Sequence, residues 1–266
     1  MKKKEIVKIF TVTKNEIDLI DDFVTYHGSI FGYSNVILID NDSDCKVVLA
    51  LYRKFRRLGV VVERHSSYRG TSQGEAFTKY MQKYSSQCKF MVGLDTDEFI
   101  QFPDFLEMDP DKTTVPYLRN RFRAYFAGLR RDASKFHVVT YFNSVPDPSS
   151  AKYSDQQVER PATDIVHFEK SPARPKKCFF RSDAFVSTVN GCHNGRVSRG
   201  ATQLSNLCYV HFHNTGARRS VERARTIIRG YGYASVDSPL AVQLTQLSQV
   251  SSPIGSHRVV EYAIFL

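Results

Sequence analysis

No apolar run in this 266-residue sequence approaches the roughly 18 consecutive residues that cross a bilayer, so a membrane-spanning helix is not expected. The start, Met1-Lys2-Lys3-Lys4, is basic, but Glu5 and Lys8 interrupt the apolar stretch behind it, which reads as a first strand and not as a secretory signal. The five cysteines (Cys45, Cys88, Cys178, Cys192, Cys208) contain no C-x-x-C pair. An odd number without that spacing points to reduced, structural thiols, and with the absent leader and anchor to a soluble, cytoplasmic protein. Neither G-x-G-x-x-G nor G-x-x-x-x-G-K-[ST] occurs, which disfavours a dinucleotide-binding fold and a P-loop NTPase. Internal repeats and low-complexity segments are absent as well.

What is present is an ordinary globular composition, 42% apolar and 24% charged, with an uneven charge distribution. Residues 1–111 carry 15 Lys and Arg against 17 Asp and Glu, whereas residues 112–266 carry 22 against 10. The second part therefore suits an anionic partner, whether nucleotide phosphate, nucleic acid, acidic glycan or membrane surface.

Hydrophobic periodicity predicts strands over Glu5–Val12, Val36–Ile39, Val60–Glu63 and Lys89–Leu94. They alternate with helices over Glu16–Tyr26, about Cys45–Leu58 and Ser72–Tyr84. Asn15 is placed to cap the first helix, and Gly59 to stop the second. Four strands alternating with three helices in about a hundred residues imply an α/β fold, a mostly parallel open sheet covered by helices on both faces. In such sheets ligands bind at the carboxyl ends of the strands. The polar clusters Thr13 to Glu16, Asp40 to Asp44, His65 to Gly70 and Asp95 to Glu98 all fall at those ends. Gln73, with Arg69 and Gly70, lies where the third helix begins, and that helix end either faces a ligand or is simply capped. Beyond Asp111 the pattern predicts a basic helix over Val115–Leu129, strands over His137–Asn143, Cys178–Arg181 and Leu207–His213, and a helix over Val221–Arg229. Ser149 to Pro175 reads as a long polar excursion. The whole is expected to be a single domain with a nucleotide-binding half, 1–111, and an acceptor-side half, 112–266.

The pivot is Met91-Val92-Gly93-Leu94-Asp95-Thr96-Asp97-Glu98-Phe99-Ile100, an apolar strand that ends abruptly in acid. In an extended segment Asp95 and Asp97 face the same way. Their charges repel unless a cation lies between them, and oxygen ligands suit Mg2+ or Mn2+. Acids capping a strand because loops are polar is the bland alternative. Further on, Tyr209, His211 and His213 share a strand face, as metal ligands or as hydrogen-bonded strand histidines. Lys176, Lys177, Arg181, Arg218 and Arg219 either neutralise a diphosphate or are surface charges. His193 lies in a Gly/Asn-rich loop that reads as a plain turn.

Three motifs in order, V-T-K-N-E-x-x-x-I at the first strand end, I-D-N-D-S-D at the second and L-D-T-D-E-F at the fourth, resemble nucleotide-sugar glycosyltransferases of the GT-A fold, with family 2 and its family 92 relatives nearest in pattern. The resemblance covers roughly Ile6 to Phe102 and is weak beyond Asp111. It implies that Thr11, Val12, Lys14 and Glu16 line the nucleotide pocket and that Asp40 touches base or ribose. By the same resemblance Asp95 lies near ribose and metal, Asp97 holds a divalent cation, Mn2+ or Mg2+, on the diphosphate, and His211 supplies a late ligand. The implied reaction moves a sugar from a nucleotide-diphosphate donor, a UDP-sugar by preference, to a carbohydrate or other hydroxyl acceptor with inversion. That requires a base, for which Asp147 and Asp183 are the candidates by position, while Glu98 is expected to orient the acid motif. A sugar-nucleotide pyrophosphorylase is the alternative within enzymes, although Thr13-Lys14-Asn15 is not its Gly-rich loop. A nucleic-acid-binding protein or nuclease is the alternative outside them, although no recognition motif is present.

Overall fold

The computed structural model describes residues 4–65, 73–109, 114–144, 168–171 and 177–212. Residues 1–143 with 168–212 make one compact unit, and residues 144–167 with 213–266 make a second, of which only Ser144 is among the described residues. Arg69, Gly70, Asp147, Lys176, His213, Arg218, Arg219, all of the Ser149–Pro175 excursion except residues 168–171, and the helix expected over Val221–Arg229 lie outside the description.

Strand β1 (Glu5–Thr13) is flanked on one side by β2 (Val36–Asp40) and then β3 (Val61–Arg64), and on the other by β4 (Cys88–Gly93), all parallel. The connections are helices α1 (Ile20–Phe31), α2 (Lys46–Arg57) and α3 (Gln73–Tyr84). Each buries a stripe at helical spacing: Ile20, Phe23, Val24 and His27 in α1; Val48, Tyr52 and Phe55 in α2; Ala76, Phe77, Tyr80, Met81 and Tyr84 in α3. The strand order β3-β2-β1-β4 reverses direction after β3, so α3 covers one face, packed on Phe10, Ile37, Ile39 and Met91. The alternate residue Phe90 faces the other layer, 5.2 Å ring to ring from Phe126 of α4 (Val115–Gly128). Lys54 of α2 pairs with Asp21 of α1 at 2.8 Å in that same layer. The expected α/β sheet with helices on both faces is the observed one.

The second half of the sheet differs from the sequence reading. Past β4 come β8 (Lys177–Arg181), β6 (Ala133–Ser144), β11 (Ala201–His211) and β5 (Glu98–Gln101), with β7 (Phe168–Ser171) paired to β6. Here β8 is antiparallel to both its neighbours, and β5 is antiparallel to β11. A hairpin of β9 (Phe185–Thr188) and β10 (Gly195–Val197) lies beside α3. β5 and the hairpin are too short to show a period, and β6 and β11 begin earlier than expected. Helix α1 begins at Ile20, not Glu16. The Glu16 carboxylate takes the free N–H groups of Asp18 and Leu19 at 2.9 and 3.1 Å and leaves Ile17 exposed, while Asn15 adopts a positive φ of 52° and ties itself to Asp44.

One consequence of the strand order shapes the site. In a flat sheet β5, four places from β4, would stand ~19 Å away at the usual ~4.8 Å spacing. Only Leu94 to Asp97 connect them, through a turn in which Glu98 N donates to Asp95 O at 3.0 Å. Such a turn spans less than about 7 Å. The sheet therefore curls until its β5–β11 edge returns to the end of β4.

The α1 layer holds one buried imidazole. His27 is fully buried among Phe23, Tyr26, Phe31 and Phe99. Its Nδ1 donates to Phe23 O at 2.9 Å, which leaves Nε2 as the acceptor toward Ile100 N at 3.5 Å. Burial pushes its pKa down to about 3, against the partial opposition of the Phe23 carbonyl. Because the folded value lies below the unfolded one near 6.5, the folded state refuses a proton that the unfolded chain accepts. Stability is thus intact above about pH 6.5 and falls as the pH drops toward 3. At pH 5 this one group is expected to remove ~2 kcal/mol. Urea midpoints at pH 7.5 and 5.0 for the wild type and His27→Leu check this, since the variant loses that share of the pH dependence; equal slopes would refute it.

Candidate active site

The parallel strands direct four carboxyl ends to one edge: Asn41 N bonds Thr13 O at 2.9 Å, His65 N bonds Asp40 O at 2.8 Å, and Leu94 N bonds Phe10 O at 2.9 Å. The acid motif is not an extension of β4. Asp95 to Glu98 form a turn, so the two aspartates diverge and do not share a strand face. This corrects the geometry expected from an extended chain, and it gives each acid its own partners.

Asp95 is held from two sides. Gln73, the first residue of α3, donates from Nε2 to Asp95 Oδ1 at 2.9 Å, and its Oε1 accepts from Gly191 N at 2.8 Å. Lys177 Nζ lies 2.8 Å from Asp95 Oδ2 and 2.5 Å from Glu98 Oε2. Glu98 completes the ring by accepting from Asp95 N at 2.8 Å and from Tyr141 OH at 3.2 Å. Lys177 is wholly buried, Glu98 is 3% exposed and Asp95 is 34% exposed, so only Asp95 opens to solvent. Burial disfavours charge on Asp95, yet the Lys177 ammonium outweighs it and holds the carboxyl below the usual range. Burial dominates at Glu98 and pushes it up to about 6 despite the same ammonium. Lys177 is pushed up, the two carboxylates overcoming its burial.

Strand register puts Lys177 there. Phe179 pairs with Val92 across the antiparallel β4–β8 ladder, so two residues earlier Lys177 comes level with Leu94, beside the turn. Its neighbours Phe179 and Phe136 stack at 4.8 Å and anchor that register. Reading the sequence alone offers Lys177 as a diphosphate neutraliser; its burial and its two carboxylate partners turn it inward instead. Tyr141 and Asn190 were not anticipated at all. Asn190 Oδ1 accepts from Gly74 N at 2.8 Å, so one N–H of the first turn of α3 is capped from another segment.

Asp97 turns the other way. His211 Nε2 lies 3.3 Å from Asp97 Oδ2, and Phe212 N donates to Asp97 O at 2.8 Å. The antiparallel β5–β11 pairing sets His211 opposite Glu98 and so delivers the imidazole to the adjacent aspartate. Two cis ligands of a six-coordinate ion with ~2.1 Å bonds stand ~3 Å apart. Their 3.3 Å separation is that of a direct imidazole–carboxylate contact, and the same pair would span two such positions of one octahedral cation, a donor set that suits Mn2+. Among the described residues no group of three His, Cys, Asp or Glu side chains converges to hold a metal, so the other positions would fall to ligand oxygens and water.

The remaining sequence candidates divide. Glu16 is near enough for the Asp97 charge to add to the rise in its pKa that burial causes, but its carboxylate is spent on the Asp18 and Leu19 N–H groups ahead of α1. Asp40 is buried, with Oδ1 accepting from Ser43 N at 3.1 Å and Tyr52 OH at 3.2 Å. Thr11 is fully buried within the sheet, Val12 packs against the α3-side core, and Lys14 is exposed at the edge. Asp183 is not brought to this edge. Because β8 runs antiparallel to β4, its far end carries Asp183 to the opposite side of the sheet, where Arg199 binds it at 2.6 Å. A separate open cleft of about 540 Å³ lies between α4 and β11, lined by Arg121, Tyr125 and Leu204 among others, and none of the acids above borders it.

No protein-family model matches the chain, and no curated protein sequence matches it. Among solved structures, S. aureus TarS 1-349 in complex with UDP-GlcNAc is similar at 12% identity and a TM-score of 0.47, covering 92% of this chain and 71% of that one. A cytidylyltransferase from Leptospira borgpetersenii is similar at 9% identity and a TM-score of 0.32, over 51% and 54%. A putative glucose-1-phosphate thymidylyltransferase from Bacillus anthracis gives 12% identity, a TM-score of 0.33 and coverage of 66% and 72%. At such values the functional reading rests on the residues of the site. No helix among the described residues is long and apolar enough to cross a membrane.

Proposed function

We propose that the chain is a glycosyltransferase that takes a sugar from a nucleotide-diphosphate donor, a UDP-sugar, and passes it to a hydroxyl of a carbohydrate acceptor with inversion. The observation that carries this reading is the pairing of Asp97 with His211 at 3.3 Å beside a fixed, half-open Asp95, at the carboxyl edge of a parallel α/β sheet. Ligands of such sheets lie at that edge. Breaking the sugar–phosphate bond leaves a diphosphate, and a divalent cation bound by Asp97 and His211 would offset that charge. Asp95, with lone pairs left on both carboxylate oxygens, accepts from a donor hydroxyl such as those of the ribose. The excess of positive charge over residues 112–266 suits a diphosphate or an acidic acceptor. Asp147 remains the candidate base.

A thermal-shift panel of nucleoside diphosphates and nucleotide sugars, with and without Mn2+ or Mg2+, tests the reading. The expected result is a rise in Tm of several degrees for a uridine diphosphate ligand that requires the cation. No shift with any nucleotide, together with a salt-dependent shift on RNA or DNA, would replace the transferase by nucleic-acid binding.

A further inference from the structure

We propose that Lys177 is a built-in cation of this site, a positioning residue whose ammonium keeps Asp95 out of the metal's coordination sphere and fixes it as a hydrogen-bond acceptor, leaving Asp97 and His211 as the protein ligands among the described residues. The inference rests on the transferase reading for the purpose of Asp95, but its geometry stands independently.

Three observations carry it. First, both oxygens of Asp95 are already oriented, Oδ2 by Lys177 at 2.8 Å and Oδ1 by Gln73 at 2.9 Å. Second, Lys177 has no exposed surface and divides its charge between Asp95 and Glu98, so it is not placed to reach a diphosphate and acts only through the acids. Third, the turn packs three carboxylates into four residues, and mutual repulsion would splay it or draw in a cation from solution. The ammonium supplies that counter-charge from β8 through a strand register anchored in the core. Repulsion between an ammonium and a divalent ion then excludes the ion from Asp95. Asp95, Lys177 and Glu98 together keep one negative charge. This explains why two acids of one tripeptide have divergent partners: one is neutralised within the protein, and the other is set against an imidazole that ligates Mn2+ well.

Mn2+ titration followed by the electron paramagnetic resonance of the free ion, without nucleotide, tests the proposal on the full chain. Four proteins are compared, each with its circular dichroism spectrum: wild type, Asp95→Asn, Asp97→Asn and Lys177→Met. The expected pattern is one Mn2+ in the wild type, a Kd within about twofold of it in Asp95→Asn, and at least a tenfold weaker Kd in Asp97→Asn. Lys177→Met is expected to bind Mn2+ at least tenfold more tightly or to take a second ion. A residue of structural importance alone would weaken binding when lost, never strengthen it. Lys177→Met/Glu98→Gln, with one carboxylate fewer, serves if the single variant does not fold. A folded Lys177 variant that binds no more Mn2+ than wild type, or an Asp95→Asn loss equal to that of Asp97→Asn, overturns the proposal. A wild type that binds no Mn2+ beside a Lys177 variant that does would remove Asp97 and His211 as ligands and leave the role of Lys177 standing.

Discussion

Replacing Lys177 by methionine is expected to destabilise the fold by about 3–5 kcal/mol at neutral pH. Methionine matches the length of the lysine stem, so the change removes charge and hydrogen bonds but little packing. What remains is the buried carboxylate of Glu98, stripped of its ion-pair partner, next to the partly buried carboxylate of Asp95. Tyr141 still donates to Glu98 Oε1, but a neutral hydroxyl does not balance a buried charge. The loss should therefore be electrostatic, and it should be recovered in large part by Glu98→Gln in the same chain, because that removes the charge left without a partner. Urea unfolding of the two single variants, the double variant and the wild type gives the coupling energy directly. Single-variant losses that simply add would show that Lys177 and Glu98 do not interact as their 2.5 Å separation requires.

Asp97→Asn has the largest expected effect on function. Under the transferase reading, the amide keeps the shape of the side chain but gives up the charge that binds a divalent cation. Donor turnover, read as release of nucleoside diphosphate, is expected to fall by a factor of about 10²–10³, the usual magnitude for losing one stabiliser of developing charge. The fold should be little changed. Asp97 sits in a turn beyond β4, and its backbone carbonyl, not its side chain, takes the Phe212 N–H that ties the turn to the far sheet edge. His211→Ala should show a smaller loss in the same direction, since an imidazole is the more replaceable ligand for a hard cation. Unchanged turnover in Asp97→Asn, with normal melting, would mean that the charge of this acid takes no part in the reaction.

Much of the first half of the chain was legible because its forces are local. Val36–Asp40 is wholly apolar up to its final acid, and Val48, Tyr52 and Phe55 recur at helical spacing; both patterns survive in the structure at nearly the expected bounds. Once strands and helices alternate, handedness and compactness leave few arrangements other than a parallel sheet with its strand ends on one edge. Hence the sequence alone assigns the polar clusters after β1, β2 and β4 to a common edge. The boundary of α1 is not legible because Glu16, four residues before the helix, turns its carboxylate onto the N–H groups of Asp18 and Leu19 ahead of it, and a carboxylate there is indistinguishable in sequence from a first-turn acid.

The site itself was legible only as a list of acids. Sequence by itself determined that a parallel α/β sheet would form and that Asp95, Asp97 and Glu98 would stand where its fourth strand ends. Tertiary structure alone decided what each acid does. The antiparallel entry of β8 between β4 and β6 brings Lys177 to Asp95 from 82 residues away and carries Asp183 to the wrong edge for a base, while the short turn between β4 and β5 curls the sheet so that β11 returns His211 to Asp97. Strand direction and register in that half are set by which apolar faces interlock, such as Phe136 on Phe179, and not by any periodicity within the strands. A short strand carries the same alternating pattern whichever way it runs, so the chemistry that depends on its direction is written only in the folded chain.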